Sequence, residues 1–243
     1  MSNSEEIKKI VKDKYSEIAV KNSGCSCNHS QDISKSIGYS DEDLKITGEA
    51  NLGLGCGNPV GFSSIKEEDT VLDLGCGAGI DCFLAAKRVG ENGKVIGVDM
   101  TEEMIKKAKL NAKKNGIKNI EFVVAEIENL PLKSNSIDVI ITNCVVNLTS
   151  DKIKTFREAY RVLKNGGRMY LSDIVLLKEL SEEERKDDDL LAGCVAGALL
   201  KDDYLEKIKA AGFEVNILSE NKKISKEQYQ GIALESLAVE AKK

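Results

Sequence analysis

Three cysteines sit in glycine- or asparagine-flanked settings: Cys56 in LGLGCGNPV, Cys144 in IITNCVVNL and Cys194 in LAGCVAGAL. They lie 88 and then 50 residues apart, too far for a zinc knuckle built from closely spaced pairs. Loops gathered around one cleft would let three thiolates meet on a soft, three-coordinate ion instead. Any one of them alone is as readily a small buried hydrophobe, and that is how Cys76 and Cys82 read. A second cluster, Cys25-Ser26-Cys27-Asn28-His29, leaves open a plain tail, an auxiliary capture point for the same ion, or a soft-metal site. It is too incomplete for structural zinc.

A ligand loop lies between the first two of these thiols. Asp73, Gly75, Gly77 and Gly79 form D-x-G-x-G-x-G in VLDLGCGAG, between a predicted strand and a predicted helix. Missing side chains there let a ligand approach the backbone and the helix N-terminus. Asp99 ends the next strand 26 residues later, where a carboxylate can accept hydrogen bonds from a ribose diol. The plainer alternative is a tight structural turn and a helix cap. Position 80 is Ile, so the dinucleotide spacing G-x-G-x-x-G is not met, which favours a ligand without pyrophosphate.

The elements that must hold these residues alternate. Strands are predicted at 71–74, 94–99, 120–125, 137–142 and 168–175, and helices at 80–89, 101–115 and 151–163, the last closed by Asn165-Gly166-Gly167. Nearly continuous apolar strands suit a parallel sheet covered on both faces. The expected fold class is therefore α/β, doubly wound and Rossmann-like. Residues 1–69 are expected to hold an N-terminal helix, the Cys25 loop and a flexible glycine-rich lid at 48–61. Residues 70–180 form the nucleotide-binding core. Residues 181–243 are a small C-terminal extension: an acidic helix near 181–189, a small-residue helix at 190–200 carrying Cys194, a helix at 202–211, and strands at 213–218 and 232–239 completing the sheet.

Composition narrows the partners. With 42% hydrophobic residues in 243, the chain can build a sizeable core. A net charge of −5 with mixed signs offers no basic stripe for nucleic acid. The N-terminus is charged and amphipathic, without a signal-peptide core, and the stretch 190–200 is too short to span a bilayer. The expectation is a cytoplasmic protein with no membrane partner. In that reducing compartment seven cysteines read as free or ligand thiols rather than a disulfide framework.

The loop around Asp73 resembles that of class I S-adenosylmethionine-dependent methyltransferases. The segments EANLGLGCGNPV, GCGAGIDCFLAA, VIGVDMTEEMIKKA, EIENLPLKSNSIDVIITNCVVNL, EAYRVLKNGGRMYLSDIV and LLAGCVAGAL resemble the arsenite methyltransferase family over nearly all of residues 45–215. The resemblance implies a seven-stranded sheet with one antiparallel strand and S-adenosylmethionine as methyl donor. It places the glycine loop at the donor's methionine end, Met100 near its ribose or adenine, Glu126 and Ile127 beside the adenine, and Asn143 beside the donor. It also implies that Cys56, Cys144 and Cys194 are ligands of trivalent arsenic. The fourth cysteine that some relatives carry before the first strand is absent from KEEDTVLDLG, so a four-thiol mechanism is not supported.

Such chemistry asks little of side chains. Arsenite exchanges hydroxyls for thiolates and retains a lone pair, so neither a side-chain nucleophile nor a general base is needed. This suits a chain whose only histidine is His29. The implied substrates are arsenite and methylated trivalent arsenicals, with a thiol reductant such as thioredoxin or glutathione. Two alternatives stay open: methylation of a small organic acceptor such as a quinone precursor, with incidental cysteines, and a non-catalytic thiol-based arsenic-binding protein.

Overall fold

The structure, a computed structural model, describes residues 3–21, 27–222, 224, 229 and 231–243. Its centre is a seven-stranded sheet of β1 (Thr70–Leu74), β2 (Lys94–Asp99), β3 (Ile120–Val124), β4 (Ile137–Asn143), β5 (Leu163–Leu176), β6 (Glu214–Asn221) and β7 (Leu234–Lys242), in the order 3-2-1-4-5-7-6. The first five strands are parallel, and β7 inserts antiparallel between β5 and β6. The C-terminal hairpin thus completes the sheet, as the sequence pattern predicts.

Strand alternation assigns the two faces. Val71 packs with α5 (Ile80–Val89) and α6 (Glu102–Lys114), whereas Leu72 and Leu74 pack with α7 (Lys152–Val162) and α10 (Lys201–Ala210). Both faces are therefore covered, which is why β1 and β4 read as almost unbroken apolar runs. In α6 the buried Met104, Ile105, Ala108 and Ala112 recur on one helical face. Phe156 of α7 is fully buried and contributes about 1.5–3 kcal/mol by leaving water. Asp73 shares the Val71 face by the same two-residue period, so an acid is carried beneath α5.

Three expectations need correction, and two helices go beyond them: α2 (Cys27–Ser36) and α3 (Asp41–Thr47), the latter opened by a capping box of Ser40 and Asp43. No helix spans 190–200. Short helices α8 (Glu182–Arg185) and α9 (Asp188–Ala192) precede a tight turn, because Gly193 ends α9 and Cys194 takes φ 65°. Strand β5 begins at Leu163, and residues 164–167 bulge from its pairing with β4 instead of simply closing α7. Finally, the glycine-rich 48–61 segment is packed rather than a loose lid. It leads into α4 (Pro59–Phe62) and buries Cys56.

The glycines of that segment are there for close approach. A Cβ on Gly55 would stand 2.8 Å from Asn143 Nδ2, and one on Gly57 would fall on Ser172 Oγ, 2.7 Å from its Cβ. Gly57→Ala is accordingly expected to cost about 1–3 kcal/mol of stability by overpacking. A denaturant midpoint unchanged from wild type would show that the segment has room to move. Among the described residues no helix is long and apolar enough to cross a membrane.

Candidate active site

The C-terminal ends of β1, β2 and β4 open onto one cleft. Three positive-φ glycines turn the chain from β1 into α5: Gly75 at φ 72°, Gly77 at 51° and Gly79 at 100°. The loop is tied to β2, since the Gly75 and Cys76 amides both donate to the Val98 carbonyl at 2.8 and 2.9 Å. Asp99 holds it further, accepting from Gly77 N at 3.0 Å and from Thr101 N at 2.8 Å. Burial raises the Asp99 carboxyl's pKa against these two donors.

Asp73, Gly75, Gly77, Asp99, Met100, Ile127 and Asn143 all line this cleft. Gly79 caps α5 just behind it. Glu126 turns outward, where Lys8 donates to it at 2.6 Å, and the next acid, Glu128, faces the cleft in its place. Cys25 and the side chains of Cys27 and His29 lie outside the described residues.

The sequence reading missed a polar network on the cleft floor. Asp81 accepts from the Tyr39 hydroxyl at 2.7 Å and from Asn143 Nδ2 at 3.2 Å. Burial pushes its carboxyl up to about 6, against those two donors. Asp73, which accepts from the Cys82 thiol at 3.2 Å, is raised well above the usual range by burial and then by Asp81. Asn143 also donates to Gly57 O at 2.7 Å and accepts from Cys56 N at 3.0 Å. One side chain at the end of β4 thereby ties the Cys56 segment to the cleft. Asp81 had a visible signal in G-I-D-C, an acid in the first turn of an otherwise apolar helix.

The thiols gather on the far side of Asn143. Cys144 follows β4 directly, in the left-handed region at φ 58°, and its amide donates to Ser172 O at 2.8 Å. Cys56 and Cys144 are disulfide-bonded with Cα atoms 5.9 Å apart. The expectation of free thiols therefore holds for Cys76, Cys82 and Cys194 but not for this pair, because the fold brings them within bridging distance. The Cys194 thiol donates to the Cys144 carbonyl at 2.7 Å. All three cysteines belong to one buried apolar cluster. Of the four non-glycine residues at positive φ among the described residues, Cys144 and Cys194 are candidate ligands, while Glu68 and Asn135 lie elsewhere; strained backbone of this kind concentrates at functional sites.

Asp173 is a further unforeseen member. One of its carboxylate oxygens lies within 4.8 Å of the Cys56 and Cys144 sulfurs. Tyr204 OH and Asn147 Nδ2 donate to Asp173 at 2.8 and 3.0 Å, and burial pushes its carboxyl up to about 6. An acid inside the apolar strand LSDIVL was the available signal. The three sulfurs do not themselves form the group that converges within 4.8 Å; that group is Cys56, Cys144 and Asp173.

Sheet order 3-2-1-4-5-7-6 with one inserted antiparallel strand, and a glycine loop leading from β1 into the cleft, define a class I methyltransferase fold. A family model described as a methyltransferase domain matches residues 65–212. The chain is 43% identical over 226 residues to an arsenite methyltransferase of Halobacterium salinarum, covering 86% of this chain and 58% of that protein. It is 41% identical over 162 residues to one of Aquipseudomonas alcaligenes, covering 64% and 47%. The chain spans about half the length of these curated relatives. Among solved structures, an arsenic(III) S-adenosylmethionine methyltransferase from Chlamydomonas reinhardtii superposes with a TM-score of 0.63 at 32% identity, covering 86% of this chain and 72% of that one. The chain belongs to the arsenite methyltransferase family.

Proposed function

We propose that the protein transfers methyl groups from S-adenosylmethionine to trivalent arsenic held by Cys56, Cys144 and Cys194. The observation that carries this reading is the position of Cys144: it lines the nucleotide cleft and is also bonded to Cys56. A soft ion on these sulfurs would therefore face the cofactor's side of the fold. The cleft fits a cationic nucleoside. Its charged lining residues are the carboxylates Asp73, Asp81, Asp99 and Glu128, with Lys8 as the cation. A Cβ on Gly77 would meet nothing within 4 Å, so the backbone lies open to a ligand there.

S-adenosylmethionine supplies an electrophilic methyl group on a sulfonium. Asp99, with lone pairs beyond those engaged by two amides, would accept from the ribose, and Asp73 and Asp81 would hold the ammonium of the methionine moiety. Asn143 fixes the Cys56 segment against the cleft floor. Catalysis comes from positioning, because the arsenic lone pair carries no proton to remove. The Cys56–Cys144 bridge must be reduced by two electrons before both sulfurs can bind arsenic. This calls for a thiol reductant such as thioredoxin or glutathione and fits a reducing cytoplasm.

The deciding experiment incubates the reduced chain with arsenite, thiol and S-adenosylmethionine, then measures arsenic species by mass spectrometry. Methylated arsenic with matching S-adenosylhomocysteine is expected. Arsenite bound without product would leave only a binding protein.

The acid pair makes a pH prediction. An ammonium binds the ionised form of Asp81, and the free carboxyl sits at about 6, so S-adenosylhomocysteine affinity should be level above pH ~7 and fall below pH 6. The limit is about tenfold per pH unit for one coupled proton. Calorimetry between pH 5 and 8 reads this directly, and the slope should shrink in Asp81→Asn, with Asp73 carrying what remains. A slope unchanged there would assign the titration to another group.

A further inference from the structure

The N-terminal helix α1 (Asn3–Lys21) lies across both halves of the site. At the cofactor side Lys8 pairs with Glu126 at 2.6 Å and Glu128 at 3.6 Å, and Ser16 Oγ donates to Glu103 at the start of α6 at 2.9 Å. At the thiol side Lys14 pairs with Asp189 of α9 at 2.7 Å. Val11 and Tyr15 line the cleft between these anchor points.

Tyr15 connects the two. Its hydroxyl donates to Ala192 O at 3.2 Å, two residues before Cys194. The ring packs against the buried cluster that holds Cys56, Cys144 and Cys194. The Cys194 thiol now donates to the Cys144 carbonyl. That bond is lost once sulfur binds arsenic, which leaves the Tyr15–Ala192 hydrogen bond to hold the turn that carries Cys194.

We propose that Tyr15 is a positioning residue for the third arsenic–sulfur bond, and that through it α1 couples cofactor binding to arsenic binding. This rests on the function proposed above. The step is an exchange: an As–O bond breaks, an As–S bond to Cys194 forms, and the thiol proton leaves with the hydroxide as water. No oxidant or reductant is involved. Tyr15 makes no bond to arsenic; its hydroxyl holds the Cys194 turn through the Ala192 carbonyl, and a cofactor that fills the cleft under Val11 and Tyr15 favours the seated helix. Because coupling between two ligands is reciprocal, each should tighten the other.

The test titrates arsenite into the reduced full chain with and without S-adenosylhomocysteine, for wild type, Tyr15→Phe and the control Asp13→Ala at an exposed position of α1. Wild type and Asp13→Ala should bind arsenite several-fold tighter when S-adenosylhomocysteine is present. Tyr15→Phe keeps the ring and its packing but should bind arsenite about tenfold more weakly, the size of one lost hydrogen bond, and should lose the enhancement. Arsenic X-ray absorption should count three sulfurs in wild type, and two sulfurs with one oxygen in Tyr15→Phe, a change that a general loss of stability would not produce. Wild-type affinity with three sulfurs in Tyr15→Phe would overturn the positioning role. No enhancement in wild type would overturn the coupling without need of a variant. A reduced wild-type chain that binds no arsenite would overturn the underlying function along with it.

Discussion

Serine at Cys144 or Cys194 is expected to lower methylation of both arsenite and methylarsonous acid by about a thousandfold or more, equivalent to ~4 kcal/mol of transition-state stabilisation. A hydroxyl is a poor ligand for a soft ion, and both residues are held in one strained arrangement in which the Cys194 thiol meets the Cys144 carbonyl at 2.7 Å. Cys56→Ser should behave differently. Arsenite has three exchangeable oxygens, whereas methylarsonous acid keeps one As–C bond and offers two exchangeable positions. A two-sulfur site of Cys144 and Cys194 can still hold the methylated substrate, so this variant should lose activity on arsenite yet keep a substantial part on methylarsonous acid. Purified variants assayed with each substrate, with arsenic speciation as readout, distinguish the three. Full activity of Cys144→Ser on arsenite would remove the thiol site from the mechanism.

Asp99→Ala should weaken S-adenosylhomocysteine binding by about 10- to 100-fold, in line with 1.5–3 kcal/mol for hydrogen bonds to a charged group. Arsenite binding to the reduced protein should change little. The loss has two physical parts: the ribose acceptor disappears, and the Gly77 and Thr101 amides lose the carboxylate that holds the loop against β2. Asp99→Asn keeps one acceptor oxygen and should fall between wild type and alanine. Calorimetry with each ligand separates the effects, and cofactor affinity unchanged in a folded alanine variant would exclude Asp99 from the site.

Local pattern made much of the protein legible. The boundaries of α5 and β2 follow from capping glycines and apolar periodicity, and the loop 75–79 carries its chemistry in five consecutive residues. Failures came where local signals conflicted or were read too simply. Glycines at 55 and 57 suggested looseness, yet they are needed because Asn143 and Ser172 press against the backbone. Apolar small residues at 190–200 suggested a helix, yet Gly193 and the left-handed Cys194 break it.

The sequence by itself determined the alternation of strands and helices, the nucleotide loop with its two acids, and which cysteines stand in distinctive settings. Those features depend on neighbours within a few residues, where backbone preference and side-chain period act directly. Only the tertiary structure decided which distant groups meet. Cys56 reaches Cys144 because Asn143 binds the Cys56 amide and Ser236 Oγ donates to the Cys56 carbonyl from β7, 180 residues away. Asp173 reaches the same sulfurs because β4 and β5 pair Asn143 with Ser172. Tyr15 meets the Ala192 carbonyl, two residues before Cys194, across 177 residues. Such contacts are set by sheet register and helix docking, since a one-residue slip in a strand sends every side chain to the opposite face.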